Sequence, residues 1–458
     1  MKTKRILSLL LVMVMALSMT ALAGCKGSTN TGGQTDNTPV NVEEVYGSSD
    51  LSEEMITALQ NSGELTLYTD SADVANGKFD DEWIENAEWM KKYYGLTINY
   101  RYQAYGDDLT NFLVDFAAND APDAITLDYR RWPKAGNRQI VYNLDELEEM
   151  GILGLDHKAF DPYRDLSNRF NIGDKIYSVS ITTCVPVVCG VNLDLFDQYQ
   201  VKSPVAYYQE GAWDMDAYIT CCKELTRTLG DGTKIWGGFG WNYNWYLVAN
   251  DARLVKWDEN YDLKLTMNDP LTIRSLTEIQ DLYLKGYTPT DQMATSDNVW
   301  KSGKLGMYLA TSNNMAVYLK DVTFNWDIVP MPYGADNTSG EVPGEFSGWG
   351  VVTSTKNPQG VINLLICKAI MAERDYGDDG LYYRSSYEEI YSEDQLDMIY
   401  SYCNKVGQDL VMGVGTLGKY FKFWNDLRGG GMTLKECIDT HEPFYQDQID
   451  LENEQAIR

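Results

Sequence analysis

Polar and apolar residues fall into two alternating patterns once the chain has passed position 60. Glu64–Thr69 and Leu96–Tyr102 alternate with a period of two, which predicts two strands. Between them, from Asp80 to Tyr94, large apolar side chains recur at helical spacing, and Gly95 follows as a stop signal. This part of the chain is therefore expected to fold as strand, helix and strand.

The alternation continues through residue 128. Asp107–Ala118 predicts a second helix, and Ala121–Asp128 predicts a third strand. A βαβαβ order implies a largely parallel sheet with helices on both faces. Ligands of such sheets bind beyond the carboxyl ends of the strands. The loops after Thr69 and Leu127 are therefore candidate binding loops.

Longer elements are predicted further along. Lys175–Val188 is rich in Val, Ile and Thr and predicts a long strand, whereas Trp213–Arg227, Leu271–Lys285 and Glu393 to about Val411 predict helices. About 410 residues follow position 47, too many for one ordinary hydrophobic core. Two lobes are expected.

The N-terminus has the pattern of a secretory signal. Lys2, Lys4 and Arg5 precede an almost wholly apolar run from Ile6 to Ala23. The sequence Leu-Ala-Gly-Cys that ends at Cys25 resembles the lipobox of bacterial lipoproteins, in which the cysteine is acylated. Residues 1–24 are expected to be a lipoprotein signal peptide, and residues 25–47, which are small and polar, a lipid-anchored flexible tether.

Charge and composition limit the partners. The formal net charge is −29, which disfavours binding to nucleic acid and to anionic lipid headgroups. Contact with a membrane is therefore expected through the lipid anchor only. A cationic ligand is an open alternative.

Cysteine and histidine are poorly suited to a metal site. Only His157 and His441 are present, whereas zinc sites need closely spaced Cys or His pairs. Seven cysteines remain once Cys25 is assigned to the anchor, and an odd number argues against a complete disulfide framework. Buried free thiols are expected, with no metal and no cofactor.

Several local signatures occur in an order typical of one family. The sequence resembles the extracellular solute-binding proteins of the maltose-binding type. The segments that carry the resemblance are Ala121–Asp128, Asn143–Leu147, Gly173–Tyr177, Val191–Phe196, Pro204, Trp213–Tyr218, Trp300–Met307 and Trp326–Pro332. Each signature is weak alone, and their shared order carries the resemblance.

The resemblance implies an α/β, two-lobed fold of the periplasmic-binding-protein type II class, with the lobes joined by crossing hinge segments. It implies an N-terminal lobe of residues 62–180 plus 304–346 and a C-terminal lobe of residues 181–303 plus 347–458. A protein of this kind is no enzyme. It captures a small molecule, expected here to be a sugar or oligosaccharide, in an interlobe cleft by hinge closure. A monomer on the extracytoplasmic face, delivering its ligand to the permease subunits of an ABC importer, is expected.

Sugars present apolar ring faces and hydroxyl edges, so their sites combine aromatic and hydrogen-bonding side chains. Four regions offer this mixture, and the resemblance implies a ligand-binding loop at the second, a ligand-stacking aromatic residue near the third and cleft or hinge positions at the fourth. The candidate ligand-binding residues are Tyr68, Asp70, Asp128, Arg130, Arg131, Trp132, Trp241, Asn242, Tyr243, Asn313, Glu345 and Trp349. Surface salt bridges for the arginines and core packing for the aromatic residues are equally open interpretations. Asn313 stands where many relatives carry Trp, which argues against a maltose-like ligand.

Other motifs point away from alternative functions. Gly413–Gly418 matches G-x-G-x-x-G, but it follows a predicted helix and not a strand, so a glycine-rich loop is expected instead. Asp258–Asp262 resembles the start of a calcium loop but lacks its Gly and Glu, which favours a hairpin turn. Two alternatives stay open: a binding lipoprotein for a polyamine, peptide or organic acid, and a secreted glycoside hydrolase with two carboxylates in a cleft.

Overall fold

The computed structural model describes residues 41–103, 109–181, 184–240, 242–289, 298–376, 387 and 389–457. The helices are α1 Val42–Tyr46, α2 Glu53–Gln60, α3 Ala72–Ala75, α4 Asp81–Tyr94, α5 Thr110–Ala117, α6 Trp132–Asn137, α7 Leu144–Glu149, α8 Arg164–Ser167, α9 Leu193–Tyr199, α10 Pro204–Gln209, α11 Met215–Leu225, α12 Tyr243–Ala249, α13 Pro270–Leu284, α14 Ser312–Leu319, α15 Pro358–Tyr376, α16 Glu393–Cys403, α17 Val411–Val414, α18 Leu417–Arg428 and α19 Leu434–Glu454. A 3₁₀ helix spans Lys158–Tyr163.

The strands are β1 Gly63–Thr69, β2 Leu96–Tyr102, β3 Ala124–Leu127, β4 Asn171–Ile172, β5 Lys175–Ile176, β6 Val185–Asn192, β7 Arg227–Thr228, β8 Lys234–Gly240, β9 Val255–Trp257, β10 Leu263–Leu265, β11 Leu305–Thr311, β12 Trp326–Pro330, β13 Val342–Glu345, β14 Gly348–Val351 and β15 Val406–Gly407.

The chain divides into two compact units. Of the described residues, those within 1–125, 142–164 and 349–382 form unit 1, and those within 126–141, 165–348 and 383–458 form unit 2. The chain therefore passes from one unit to the other after residues 125, 141, 164 and 348, and again between residues 376 and 387. The lobe ranges expected from the sequence stay a prediction.

Unit 1 is built around a four-stranded sheet in the order β14–β3–β1–β2. β1 runs parallel to both β2 and β3, so the predicted βαβαβ arrangement is confirmed. The predicted ends of the first helix are confirmed as well. The Asp80 side chain accepts a hydrogen bond from the Trp83 backbone N–H at 2.8 Å, and Gly95 adopts the left-handed φ of 60° that ends α4.

A mostly apolar groove, here called the unit 1 groove, runs beside β2, the edge strand of this sheet. It encloses about 750 Å³ of empty space, including space open to solvent. Its wall is formed by Phe79, Trp83, Ile84, Ala87, Glu88, Met90, Lys91, Leu96, Thr97, Ile98 and Tyr100. The apolar stripe of α4 is therefore only partly covered, and Ile84 is 43% exposed.

Unit 2 contains a seven-stranded sheet in the order β15–β13–β6–β11–β8–β7, with β12 also paired to β6. Every residue of β6 is buried, as expected for a strand at the centre of a sheet. β13 pairs antiparallel with the start of β6, which brings Glu345 opposite Val185. The single long strand predicted for Lys175–Val188 is wrong: β5 ends at Ile176, and β6 begins at Val185.

Two predictions for the C-terminal region are also wrong. The helix that was expected to continue to about Val411 ends at Cys403, because the backbone of Val406 pairs with β13 instead. The glycine-rich segment does not form a loop, since Gly413 lies in α17 and Gly418 in α18. The turn expected at Asp258 is confirmed: β9 and β10 form an antiparallel hairpin, and the Asp258 carboxylate accepts hydrogen bonds from two backbone N–H groups within it.

The cysteines of the described chain behave as predicted. Seven are free and buried, namely Cys184, Cys189, Cys221, Cys222, Cys367, Cys403 and Cys437. Among the helices whose residues the structure describes, none combines the length and the apolar content needed to cross a bilayer.

Candidate functional site

Unit 2 contains a concave site, here called the unit 2 pocket. It encloses about 320 Å³ of empty space, which includes its mouth to solvent. Its wall is formed by Tyr129, Asn242, Asn244, Trp245, Val248, Pro343, Gly344, Glu345, Gly407, Gln408, Asp409 and Met412. These residues come from four distant stretches of the sequence, which the sheet and its flanking helices bring together.

The first wall is the start of α12. The Asn242 side chain caps this helix by accepting a hydrogen bond from the Asn244 backbone N–H at 3.0 Å. The same oxygen accepts a hydrogen bond from the Tyr420 hydroxyl at 2.5 Å, which holds the cap in place. Asn244 is only 7% exposed, and its side-chain oxygen has no hydrogen-bond partner among the described residues. Trp245 also lines this wall, although it is only 2% exposed and packs in the hydrophobic core of unit 2.

The second wall is the segment that follows β15. The buried Asp409 carboxylate accepts hydrogen bonds from the backbone N–H groups of Leu254, Val255 and Val411. Burial raises the pKa of Asp409 to about 6 against the lowering effect of these bonds. Asp409 is therefore committed to fixing the backbone. The side-chain nitrogen of its neighbour Gln408 is buried and has no partner in the described chain.

The third wall ends in Glu345, the last residue of β13. Its carboxylate is partly buried, and no hydrogen bond reaches it from any residue that the structure describes. Loss of solvation raises the pKa of Glu345 to about 7, Arg130 opposes this rise, and Asp128 adds to it. Glu345 is the uncommitted acidic group of the pocket.

The fourth wall comes from the segment between β3 and α6. The Asp128 carboxylate accepts hydrogen bonds from the Arg130 backbone N–H at 2.9 Å, from its Nε at 3.0 Å and from its Nη2 at 2.5 Å. Burial opposes ionisation of Asp128, but the charges of Arg130 and Arg131 outweigh it, so the pKa is lowered. Gly413 packs against this segment: a Cβ there would lie 2.9 Å from the Tyr129 carbonyl oxygen and 2.6 Å from Pro133 Cδ.

The structure brings together some of the residues predicted from the sequence. Asn242 and Glu345 line the same pocket, and the Asp128–Arg130 ion pair lies close enough to act on the Glu345 carboxyl. Arg131 donates a hydrogen bond to the Thr126 carbonyl oxygen at 3.3 Å and is not part of the pocket wall.

Other predicted residues of unit 2 lie elsewhere. Trp132 is buried, with its ring packed edge-on against Phe170 at 5.5 Å. Tyr243 is fully buried and stacks on Tyr420 at 4.9 Å, so its ring belongs to the aromatic core although it neighbours Asn242. Asn313 lies at the start of α14, where its side-chain oxygen accepts a hydrogen bond from the next backbone N–H. Their role as ligand contacts stays a prediction.

Three predicted residues belong to unit 1. The Tyr68 hydroxyl donates a hydrogen bond to Asp115 at 2.5 Å and accepts one from Arg101 at 3.3 Å. Burial is the main cause that raises the pKa of Tyr68 to about 12, and the hydrogen bond to Asp115 is the second. Asp70 directly follows β1 and is partly exposed. Trp349 is partly buried in β14, and the Lys368 amine lies 5.8 Å from the centre of its ring. Trp241 and Cys25, the remaining predicted residues, lie outside the described residues.

The residues that sequence analysis missed are as informative as those it found. Tyr129, Asn244, Trp245, Gln408 and Asp409 all line the unit 2 pocket. Asn244 and Trp245 fall within a stretch that is dense in amide and aromatic side chains, which was the available signal. Asp409 was hidden by the helix wrongly predicted across it.

The pocket offers an aromatic ring, amide groups and one uncommitted carboxylate, which suits recognition of a polar ligand. Asp409 is held by backbone donors, so the wall contains no free pair of carboxylates among its residues. Within the described part of the chain, no group of three or more His, Cys, Asp or Glu side chains is placed to hold a metal ion.

Known structures share this fold at low sequence identity. An ABC substrate-binding protein from Listeria monocytogenes, in complex with cycloalternan, is 17% identical, with a TM-score of 0.59 over 86% of this chain and 98% of that chain. A solute-binding protein from Agrobacterium vitis with bound D-mannitol is 14% identical, with a TM-score of 0.58 over 85% and 99%. UgpB from Mycobacterium tuberculosis, in complex with glycerophosphocholine, is 15% identical, with a TM-score of 0.58 over 85% and 99%.

These likenesses confirm the predicted α/β fold of the two-lobed, type II class. No curated protein matches the chain by sequence. A family model does match, namely that of the bacterial extracellular solute-binding proteins, over residues 71–365. Because this match spans well over half of the 458 residues and includes parts of both units, the chain belongs to the bacterial extracellular solute-binding protein family.

Proposed function

We propose that this protein captures a sugar or oligosaccharide and delivers it to the permease of an ABC importer. The observation that carries the proposal is the composition of the unit 2 pocket. The aromatic residues Tyr129 and Trp245 line the pocket together with Asn244 and Gln408, whose amide groups each have a buried polar atom without a partner in the described chain. An aromatic face next to unsatisfied hydrogen-bonding groups matches the two-sided chemistry of a sugar.

The relatives of known structure support a polyhydroxylated ligand. Cycloalternan and D-mannitol, which two of them hold, carry many hydroxyl groups. Glycerophosphocholine, which a third holds, shows that the fold also accommodates a charged molecule. The fold alone therefore does not determine which ligand is bound, and the specificity must come from the residues that line the pocket.

The N-terminal pattern supports a location outside the cytoplasm. The basic and apolar segments before Cys25 are typical of a secretory signal, and the residues around Cys25 resemble a lipobox. Family membership is consistent with an extracellular protein. We therefore place the protein on the outer face of the cell membrane, held through an acylated Cys25 and acting as a monomer.

A thermal-shift screen tests the proposal. The purified protein is heated with mono- and oligosaccharides and, in separate wells, with polyamines, amino acids and short peptides. A ligand present at 100 times its dissociation constant should stabilise the folded protein by about 2.7 kcal/mol, which raises the midpoint of unfolding.

The identity and fate of the ligand decide between functions. Stabilisation by a carbohydrate that mass spectrometry then recovers intact supports the proposal. Cleavage of that carbohydrate would identify a glycoside hydrolase instead. Stabilisation by polyamines or peptides alone would leave the family assignment in place and show that the substrate class is wrong.

A further inference from the structure

The charges that line the unit 2 pocket are all of one sign. Its wall contains two carboxylates, Glu345 and Asp409, and none of its described lining residues is a lysine or an arginine. Amide oxygens and carboxylates both accept hydrogen bonds from hydroxyl groups, so a neutral sugar does not by itself require this excess of negative charge.

The two carboxylates differ in how they are satisfied. Asp409 accepts hydrogen bonds from three backbone N–H groups, so its carboxylate already has partners within the protein. Glu345 accepts no hydrogen bond from the described residues. The Arg130 guanidinium acts on the charge of Glu345 and also donates two hydrogen bonds to Asp128, at 2.5 and 3.0 Å. Glu345 is therefore a partly desolvated acid whose charge Arg130 offsets in part, and it accepts no hydrogen bond from the described residues.

A second observation in the same pocket points to a ligand that donates hydrogen bonds. The Asn244 side-chain oxygen is buried and has no partner among the described residues. An acceptor left without a donor in a buried position is costly, and a donor on the ligand would remove that cost. The oxygens of Glu345 and Asn244 thus favour the same kind of group.

The aromatic residues of the wall are compatible with a cation as well as with a sugar face. Tyr129 and Trp245 both line the pocket. Aromatic faces attract ammonium groups and also pack against apolar sugar faces. A ligand with both an ammonium group and an apolar sugar face would suit these two aromatic residues.

We infer that the ligand is a carbohydrate that carries a protonated amine, with its ammonium group bound by Glu345 and its hydroxyl groups by the amides of Asn244 and Gln408. This inference rests on the proposed function and names its substrate class. An ammonium–carboxylate hydrogen bond is stronger than one between neutral groups, so the amine provides selectivity. The raised pKa of Glu345 adds a signature: binding of a cation below pH 7 should expel the proton of this carboxyl.

The test uses pairs of ligands that differ only at the nitrogen. Isothermal titration at pH 6.5 compares glucosamine, galactosamine and mannosamine, and glucosamine oligosaccharides of two to four units, with their N-acetylated counterparts and with spermidine. We expect at least one amine sugar to bind about tenfold more tightly than its N-acetyl partner, since one charge-assisted hydrogen bond has about that effect. Binding should also release a proton, which titrations in buffers of different ionisation enthalpy detect.

The variant Glu345→Gln should abolish both the preference for the amine and the release of the proton. Glu259→Gln removes an exposed charge from the same unit and serves as the control, with the preference unchanged. Circular dichroism and a second variant, Glu345→Asp, which keeps the charge, separate loss of the carboxylate from loss of the fold.

The remaining outcomes are distinct. If neutral sugars bind and no amine partner binds more tightly, or if the preference survives in Glu345→Gln, the inference is wrong and the proposed function stands. If spermidine binds and no carbohydrate does, or if nothing in the panel binds, both the inference and the proposed carbohydrate function are wrong.

Discussion

The unit 2 pocket and the unit 1 groove are both concave, yet they differ in chemistry. The groove is the larger, with about 750 Å³ of empty space against about 320 Å³. Its wall is dominated by apolar side chains such as Trp83 and Tyr100, whose rings meet edge-on at 5.4 Å. The pocket instead contains buried polar atoms of Asn244 and Gln408 that make no hydrogen bond within the described chain.

This difference shows why size is a poor guide to a binding site. An empty apolar groove leaves no hydrogen bond unmade. A buried polar atom without a partner costs about 1–3 kcal/mol, and a ligand that supplies the partner recovers that free energy. The smaller site, the unit 2 pocket, therefore recovers more free energy than the unit 1 groove when a polar ligand binds.

The largest effect expected from this comparison concerns two tryptophans. Trp245→Ala should weaken carbohydrate binding about 100-fold, and because Trp245 also packs in the core, it should lower the free energy of unfolding by about 3–5 kcal/mol, so the affinity is measured only once circular dichroism shows a folded variant. Trp83→Ala removes the same ring from the groove and should change the affinity less than about twofold. Isothermal titration of both variants measures the contrast. An equal loss of affinity in Trp83→Ala would contradict the assignment of the site to unit 2.

A smaller effect is expected from added volume. Gly413→Ala should lower the free energy of unfolding by about 1–3 kcal/mol, because the new methyl group would meet the Tyr129 carbonyl oxygen and Pro133 behind the pocket wall. Ala87→Leu adds more atoms to the open groove and should change the stability by no more than about 0.5 kcal/mol. Urea unfolding compares the two. Equal tolerance at both positions would show that the segment behind the pocket wall is not tightly packed.

The smallest expected effect depends on pH. The unfolded chain ionises Glu345 near its ordinary pKa of 4.5, whereas the folded protein keeps the proton until about pH 7. The unfolded state therefore loses its proton first, and the folded state becomes relatively less stable as the pH rises between these values. Glu345→Gln removes this penalty and should stabilise the protein by about 1–2 kcal/mol at pH 8, with a much smaller gain at pH 5.

Urea unfolding at both pH values measures the gain. Glu88→Gln, which removes a carboxylate from the groove, is the control that matches the change in net charge. The pH-dependent gain should be absent from it. A gain of equal size in both variants would mean that overall charge, and not burial in the pocket, is responsible.

The sequence predicts the first elements of unit 1 almost to the residue, because local signals mark them. The Asp80 cap and the left-handed Gly95 define α4 without help from the rest of the chain. The region around Val406 has no such signal. Its backbone pairs with β13, more than sixty residues away, and this tertiary contact overrides a pattern that resembles a continuing helix.

The site was predictable only in part for the same reason. Asn242 was found because it lies in a stretch dense in amide and aromatic side chains, and Glu345 because the family resemblance places cleft residues at its position. Tyr243 shows the limit: its ring stacks in the core while its neighbour Asn242 lines the pocket. Which of two adjacent residues faces a ligand depends on the packing of α18, and no local pattern contains that information.

The seven buried thiols have a practical consequence for spectroscopy. Burial raises the pKa of Cys221 and Cys403 to about 12, so these groups hold almost no reactive thiolate at neutral pH. Maleimide dyes should therefore leave all seven unmodified in the native protein. A cysteine introduced at an exposed position such as Tyr261 would then be labelled selectively among the described residues, and a single fluorophore could report ligand binding in real time without removal of any native cysteine from the core.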